Sequence, residues 1–191
     1  RERLASQLKS LFKYVPVTSP SGLERACSMI ADRSLWFWHI TGQNDENECK
    51  PDCYWGGGWG ELYAYFYDDF RRSYPWANPV HLDRLAKKAA GRPRVPQPAD
   101  VYKNWAICCF SALADSQHMW ELYAAGGSGI VVEYPTPEGS SLGGAGKVRY
   151  TDERVRLDLL DVTEEKIFEI FTTKELKWAA EEEFRLAERL E

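Results

Sequence analysis

The sequence has no apolar run long enough to cross a membrane. A membrane-spanning helix needs about 20 consecutive apolar residues, whereas the longest candidate, residues 106–114, is interrupted by Ser111. A Gly-rich phosphate loop ending in Gly-Lys-Ser/Thr is also absent. We therefore expect no membrane partner, and the sequence excludes the nucleotide hydrolases that depend on such a loop.

Cysteine is scarce, and its five occurrences form an odd number. Cys108 and Cys109 are adjacent inside an apolar stretch, where thiols behave as small hydrophobic side chains. Structural zinc sites usually have two close pairs of ligands, so His39 with Cys49 and Cys53 is a weak match. The sequence thus predicts neither a disulfide scaffold nor a metal site, and it favours a reducing, cytoplasmic setting.

Positive charge is in deficit. Lys and Arg number 24 against 29 Asp and Glu, which gives a formal net charge of −5 at pH 7, and such a chain does not attract polyanions as a whole. The exception is the segment 71–103, which carries eight Lys/Arg against two Asp. This segment could contact a phosphate-bearing partner, but a solvated helix face followed by a linker is the commoner interpretation of such a charge run.

A length of 191 residues with 44% hydrophobic side chains is typical of one globular domain. We predict a single domain over residues 1–191, although a start at Arg1 without an initiator Met or an apolar signal region indicates a piece of something longer. The predicted strands are 11–15, 35–40, 105–110, 130–134 and 147–150, and the predicted helices are 1–10, 61–70, 116–125 and two that follow caps at Ser19 and Asp161. The expected fold class is α+β, with mixed or antiparallel sheets and flanking helices.

Aromatic side chains are abundant, with 8 Trp, 10 Tyr and 8 Phe. Each can bury about 150–250 Å², so these rings form either core or the walls of a ligand cleft. Trp36, Trp38, Trp105 and Phe110 fall on apolar predicted strands, and we expect them mostly in the core. The cluster at residues 54–59, inside an acidic and Gly-rich loop, is the expected cover of a ligand.

The segment 174–187 carries the residues best suited to chemistry. Its composition favours a helix, yet its end alternates apolar and polar residues in a strand-like period of two. In a strand Glu181, Glu183 and Arg185 would share one face at steps of ~6.6–7 Å, whereas a helix would point the two glutamates apart. Paired carboxylates beside Trp178 could stabilise a positively charged sugar and activate a nucleophile. The competing interpretation is a solvated, charged helix end.

Ser111 follows the apolar strand predicted over residues 105–110. At the end of a strand its hydroxyl could donate a hydrogen bond into a cleft, although a lone serine more often forms a turn. Trp120 and Tyr123 are spaced as on one helix face, which is typical of packing residues.

A set of short motifs spans nearly the whole chain, and the last of them, Lys-x-x-x-Trp-x-x-Glu-x-Glu-x-Arg, is the most specific. The motifs are Phe12-Lys13-Tyr14, Asn44-Asp45, Cys109-Phe110-Ser111, Met119-Trp120 with Tyr123-Ala124, Gly129 to Tyr134, and Lys174, Trp178, Glu181, Glu183 and Arg185. Together they resemble a mostly bacterial domain family catalogued without an assigned function. Val15 stands where that family tends to have Arg, and Gln43 and Glu46 stand where Phe and Pro are usual. No role of the family's Arg is therefore carried over.

The order of elements is also similar to that of the ADP-ribosyltransferase fold, whose enzymes hold NAD between two small sheets and break its nicotinamide–ribose bond. The resemblance implies that Glu183 binds the ribose 2′-hydroxyl and stabilises the oxocarbenium ion. It further implies that Glu181 helps to activate the acceptor and that Ser111 supports the nicotinamide side. Lys13 or Tyr14 would be the anchor on the first strand. These roles rest on analogy between folds.

The same resemblance implies further contacts to NAD. An aromatic ring such as Trp36, Trp38 or Tyr123 would stack on the nicotinamide. Trp120, Tyr123 and Trp178 belong to the motifs beside the glutamates, which makes them further candidates for a stacked ring. Arg185 completes the expected cofactor-binding set. The implied function is transfer of ADP-ribose from NAD to a protein or nucleic-acid acceptor, as in a toxin or a phage-defence effector. An immunity or antitoxin protein would then be a further partner.

Two other functions are compatible with the same residues. Hydrolysis of NAD or of another N-glycoside would use the same carboxylates, because a separation of ~6.5–9.5 Å leaves room for a water molecule. In a non-catalytic interaction module, Trp178, Glu181 and Arg185 would only fix the last element on the sheet. An enzyme of either kind would act in the cytoplasm, whether that of its own cell or that of a target cell.

Overall fold

An antiparallel sheet of six strands forms the centre of the molecule. The structure is a computed structural model, and it describes residues 8–42, 45 and 47–190. The strands in chain order are β1 Ser10–Pro16, β2 Trp38–His39, β3 Asp52–Tyr54, β4 Trp105–Ser111, β5 Gly129–Pro135, β6 Gly146–Lys147, β7 Arg149–Tyr150, β8 Arg156–Asp158, β9 Thr173–Lys174 and β10 Glu183–Arg189. The main sheet has the order β5-β1-β4-β10-β6, with β2 paired to β4. Two short parallel pairs, β3 with β8 and β7 with β9, lie outside it.

The helices are placed around this sheet by local signals in the sequence. In chain order they are α1 Pro20–Ala31, α2 Trp59–Ser73, α3 Pro79–Gly91, α4 Pro98–Val101, α5 Gln117–Tyr123 and α6 Glu164–Phe171. Helix α1 begins with proline after Ser19, whose hydroxyl accepts a hydrogen bond from the Gly22 N–H at 3.1 Å. Short 3₁₀ helices cover Ile40–Gly42, Ser141–Gly144 and Leu176–Glu181. None of the described helices is long and apolar enough to cross a membrane.

The sheet opens between β1 and β4. These strands share one register pair, Phe12 with Ser111, while β2 pairs with the same edge of β4 nearer its start. Residues 108–110 therefore face a gap on that edge of β4, among the described residues. The Lys13 ammonium reaches across the gap and donates a hydrogen bond to the Cys109 carbonyl at 2.6 Å. This opening creates the space for a site.

Strand β4 is the core of the sheet and is apolar on both faces, as in strands covered on both sides. Ile107 packs with Phe171 of α6 on one side, and Cys108 and Phe110 pack with Phe184 on the other. All of these side chains are almost fully buried. The continuous apolar run predicted this central strand correctly.

The structure confirms several of the sequence predictions: the mixed α+β fold, the antiparallel sheet, strands β1, β4 and β5, and helices α1, α2, α5 and α6. The prediction of a strand over residues 35–40 is wrong for most of that range, because only Trp38 and His39, which form β2, pair with another strand. Trp36 and Trp38 are consequently 43% and 50% exposed rather than in the core. Helix α6 is capped by Thr163, whose hydroxyl accepts from the Lys166 N–H at 3.2 Å, and not by Asp161. The predictions at residues 1–7 and at Gln43, Asn44 and Glu46 lie outside the described residues.

Candidate active site

The opening beside β4 is a cavity of about 280 Å³, close to the lower limit of about 300 Å³ for small-molecule sites. We call it the main cavity. Its lining includes Lys13, Tyr14, Arg25, Trp36, Trp38, Glu48, Cys109, Ser111, Tyr123, Lys174, Glu181 and Glu183. Both predicted catalytic glutamates, the predicted serine and both first-strand candidates therefore meet at one space.

The two glutamates reach the main cavity from different elements. Glu181 ends the 3₁₀ helix Leu176–Glu181, and Glu183 begins β10. Between them Glu182 has φ 44° and ψ 53°, a left-handed conformation that is uncommon for a residue with a side chain. The prediction that Glu181 and Glu183 share a strand face is wrong. This turn brings their carboxylates together instead.

Lys174 joins the two carboxylates. Its Nζ lies 2.6 Å from Glu181 Oε2 and 3.2 Å from Glu183 Oε2, and 3.9 Å from Glu48 Oε1. Because both Glu181 and Glu183 contact one ammonium at these distances, their oxygens are closer together than the ~6.5–9.5 Å typical of inverting glycosidases. The ammonium, and not a water molecule, occupies the position between them.

Arg185 holds Glu183 from behind. Its side chain is fully buried, and its Nε and Nη2 each donate to a Glu183 oxygen at 2.8 Å in a bidentate pair. Its Nη1 donates to the Phe171 carbonyl at 2.6 Å, and its Nη2 also contacts Glu48. Arg185 is not among the residues lining the main cavity. The structure therefore places it as a positioning residue and not as a ligand contact, contrary to the role that the resemblance implied.

Glu48 is a site residue that the sequence did not reveal. Its side chain is 4% exposed, and it lines both the main cavity and a second cavity of about 60 Å³. In the sequence it is one carboxylate among several in a polar loop, more than a hundred residues from Lys174 and Arg185. Its only signal was proximity to Asp45 in the Asn-Asp motif. We call Glu48, Lys174, Glu181, Glu183 and Arg185 the charge cluster.

Burial and pairing shift the pKa values of the cluster in opposite directions. Burial opposes ionisation of Glu183, but Arg185 and then Lys174 outweigh it and lower the pKa of Glu183 to about 2. Burial raises the pKa of Glu48, and the attraction of Arg185 and Lys174 offsets only part of that rise. Burial also acts against the charge on Lys174, yet Glu183 and Glu48 raise its pKa. Carboxylates with divergent pKa values in one cavity are typical of acid–base sites.

Hydroxyl groups fix the turn that carries the glutamates. Tyr123 donates to Glu181 Oε1 at 2.6 Å, and the Glu183 N–H donates to the Tyr150 hydroxyl at 2.8 Å. Ser111 donates to the Glu181 carbonyl at 2.7 Å and accepts from the Leu113 N–H at 3.0 Å. The Ser111 hydroxyl is thus occupied with the backbone, and it positions Glu181.

The remaining predicted contacts divide between the cavity and its surroundings. Tyr14 lines the main cavity, and its hydroxyl donates to the Leu113 carbonyl at 2.9 Å. Trp120 packs edge-on against Tyr14 at 5.5 Å and does not line the cavity. Trp178 also lies outside the lining, where its indole N–H donates to Asp45 at 2.7 Å and its ring lies 5.1 Å from Lys174 Nζ. Both tryptophans support cavity residues.

The aromatic residues that line the main cavity include Phe12, Tyr14, Trp36, Trp38, Phe110 and Tyr123. Trp36 and Trp38 lie there because β2 is short. Arg25 lies with its guanidinium 5.1 Å from the Trp38 ring. The aromatic cluster at residues 54–59 is not part of the lining, so the expectation that it covers the ligand is wrong. Trp55 packs instead against Tyr65 of α2 at 5.2 Å.

The lowered pKa of Glu183 predicts a loss of stability in acid. A carboxylate whose folded-state pKa is below its usual 4.5 stabilises the protein above that pH, and this contribution disappears as the pH falls towards about 2. The expected loss between pH 6 and pH 3 is about 2 kcal/mol of unfolding free energy, measured by urea denaturation at these two pH values. The glutamine of Glu183→Gln does not titrate. The deficit in its unfolding free energy relative to the wild type should therefore become smaller from pH 6 to pH 3. A deficit that stays constant with pH would contradict the prediction.

Comparisons with protein-family models, with curated proteins and with solved structures found no match to this chain. The function is therefore inferred from the geometry and charge of the site.

Proposed function

We propose that the protein cleaves the nicotinamide–ribose bond of NAD and transfers ADP-ribose to a macromolecular acceptor. The observation that carries the proposal is the grouping of three carboxylates, Glu48, Glu181 and Glu183, at one place in the wall of the main cavity. The charge cluster contains three carboxylates and two cations, and its carboxylates line the cavity together with Tyr123 and Ser111.

An uncompensated buried carboxylate is costly unless a cation approaches it. Glu183 stays ionised because of Arg185 and Lys174, so this carboxylate retains its negative charge when a ligand displaces water. A positively charged reacting centre would gain from this fixed charge as it develops, which is the main way in which enzymes lower such barriers. The oxocarbenium-like sugar formed when an N-glycosidic bond breaks is such a centre.

In the proposed reaction the C1′–N bond breaks, and its electron pair stays on nicotinamide, which leaves as a neutral molecule. Glu183 faces the ribose and stabilises the positive charge at C1′. An acceptor oxygen or nitrogen then forms the new bond to C1′, and Glu181 takes the proton that it releases. Tyr123 and Lys174 hold Glu181 in place for this role.

The rest of the main cavity suits the other parts of NAD. Lys13 and Arg25 line it, and neither has a carboxylate partner among the described residues. Lys13 has two N–H donors besides the one that it gives to the Cys109 carbonyl, so both cations would contact the pyrophosphate. Trp36 and Trp38 offer ring faces for a base or for nicotinamide. The cavity of about 280 Å³ lies near the lower limit for small-molecule sites, so part of the dinucleotide would lie along its exposed rim.

Transfer is favoured over hydrolysis by the spacing of the carboxylates. Lys174 fills the position between Glu181 and Glu183, where an inverting hydrolase keeps its water molecule. A water molecule could still replace the acceptor from the open side of the cavity. The products therefore distinguish the two reactions: an adduct on a protein or nucleic acid indicates transfer, and free ADP-ribose alone indicates hydrolysis.

The proposal is tested by incubating the protein with NAD and a cell extract, then measuring nicotinamide release and the mass of modified macromolecules. Tyr123→Phe removes the hydrogen bond to Glu181, and we expect a roughly tenfold lower rate with a stability loss of about 1 kcal/mol. Tyr65→Phe on α2, remote from the cavity, is the matched control and should keep the wild-type rate. Absence of nicotinamide release, together with no NAD-dependent rise in melting temperature, would reject both enzymatic functions.

A further inference from the structure

Helices α2 and α3 form a projecting arm. They are joined by residues 74–78 and pack chiefly against each other, and we call residues 59–91 the arm. Trp55 attaches it to the body, since its ring contacts Tyr65 and Phe66 at 5.2 and 5.0 Å and its indole N–H donates to the Arg94 carbonyl at 2.9 Å. The arm is separate from the main cavity, none of whose lining residues belongs to it.

The tip of the arm exposes aromatic rings on a rigid turn. Trp76 is 82% exposed and Tyr74 45% exposed, and their rings meet edge to face at 6.1 Å. A hydrogen bond from the Ala77 N–H to the Tyr74 carbonyl at 3.0 Å closes the turn, and Pro75 and Pro79 restrict its backbone. Rings this exposed contribute little to the core, so packing within the protein does not explain them.

Positive charges follow the tip along one face of α3. Arg84 and Lys88 are spaced four residues apart on the side opposite the buried residues Leu82 and Ala86, and Arg92 directly follows the helix. We call these three residues the stripe. None of the three has an ion-pair partner within the described part of the chain. Like charges at this spacing destabilise a helix, so the stripe is not explained by the stability of the arm.

We propose that the arm binds single-stranded nucleic acid, with the stripe on the phosphate backbone and the tip rings stacked on bases. Residues 71–94 carry seven Lys/Arg and one Asp in a chain of net charge −5. Arg71, Arg72 and Lys87 pair with Asp68, Asp69 and Asp83, so the stripe supplies most of the cations that are left to attract a polyanion here. Exposed rings beside a basic track are the features that bind single strands without reading sequence. An arm that inserted its tip into a membrane would need its cations around the tip, at the depth of the lipid headgroups. The cations of the stripe extend instead about 12 Å along the helix axis.

The proposal goes beyond the reaction with NAD and does not depend on it, because binding is measured directly. Fluorescence anisotropy with a short labelled oligothymidine should show binding by the full chain that weakens with salt. Trp76→Ala should weaken it about tenfold through lost stacking, while Trp76→Phe retains most of the affinity. The double variant Arg84→Glu with Lys88→Glu should weaken binding more than Trp76→Ala does. It should also reduce the slope of the logarithm of the binding constant against the logarithm of the salt concentration by about 1.4.

Matched controls distinguish binding by the surface of the arm from an effect of the net charge of the whole chain. Lys147→Glu with Arg189→Glu makes the same charge change on exposed residues of β6 and β10, and it should leave most of the affinity intact. Melting temperatures of all variants show whether each is folded. No binding of the oligonucleotide, equal losses in the two charge-reversal pairs, or tighter binding to phosphatidylserine vesicles than to the oligonucleotide would overturn the proposal.

Discussion

Replacing Arg185 with alanine should lower the free energy of unfolding by about 3–5 kcal/mol. The guanidinium is fully buried and donates to Glu183, to the Phe171 carbonyl and to Glu48. Its removal leaves two buried carboxylates, and within the described part of the chain Lys174 is then the one cation that contacts them. It also leaves an unfilled volume next to β10. Arg185→Lys should recover only part of the loss, because an ammonium cannot form the bidentate pair with Glu183.

Arg189 on the same strand provides the matched control, since its side chain is exposed. Arg189→Ala should change the free energy of unfolding by less than about 0.5 kcal/mol. Urea denaturation followed by circular dichroism at pH 7 compares the three variants with the wild type. If Arg185→Ala cost no more than Arg189→Ala, the bidentate pair would not be what fixes Glu183.

The sequence predicted the sheet well where a local pattern determines the structure. The continuous apolar run of β4 predicted a strand covered on both faces, and the period of two after residue 183 predicted β10. Composition alone favoured a helix over 174–187, but pairing of β10 with all seven residues of β4 outweighs that preference. Helix propensity differs by less than ~1 kcal/mol per residue, so a partner strand readily decides the outcome.

The candidate site was predictable only in part, because it is assembled from distant segments. Glu181, Glu183 and Ser111 carried local signals, and they do line one cavity. Glu48 lies in a polar loop, and nothing around it in the sequence indicates burial against Arg185. Lys174 belonged to a motif without an assigned role, although its ammonium organises the two glutamates. Contacts between residues so far apart cannot be read from a periodic pattern.

The aromatic residues show the same limit. Trp36 and Trp38 lie in an apolar run that predicts a buried strand, yet only β2 finds a partner on β4 because β1 occupies the other end of that edge. The vacant middle of the edge becomes the cavity, and the tryptophans become part of its wall. Apolar residues in a cleft and in a core have the same sequence pattern, so only the pairing of strands distinguishes them.

Neutralising Glu183 should abolish most of the proposed reaction. Glu183→Gln removes the carboxylate that faces the ribose, and we expect nicotinamide release to fall by about 10²–10³-fold, as for other groups that stabilise charge in a transition state. Glu48→Gln makes the same change in net charge within the same cluster. Because burial raises the pKa of Glu48 whereas Arg185 and Lys174 lower that of Glu183, ionised Glu48 contributes less stability than ionised Glu183, and glutamine at position 48 should cost less than glutamine at position 183. We expect its rate to fall only about tenfold.

This pair of variants separates a specific role of Glu183 from the charge of the cluster as a whole. If the net charge alone matters, the two substitutions should reduce the rate equally, and an equal loss would refute a direct contact of Glu183 with the ribose. Glu183→Gln also weakens the pairing with Arg185 and Lys174, so each rate is divided by the folded fraction measured by circular dichroism. Binding of NAD by calorimetry provides the second readout, since a folded variant that binds NAD but releases no nicotinamide has lost the chemical step and not the fold. A Glu183→Gln protein with the wild-type rate would remove Glu183 from the reaction, and Glu181 would then be the remaining carboxylate able to stabilise the cation.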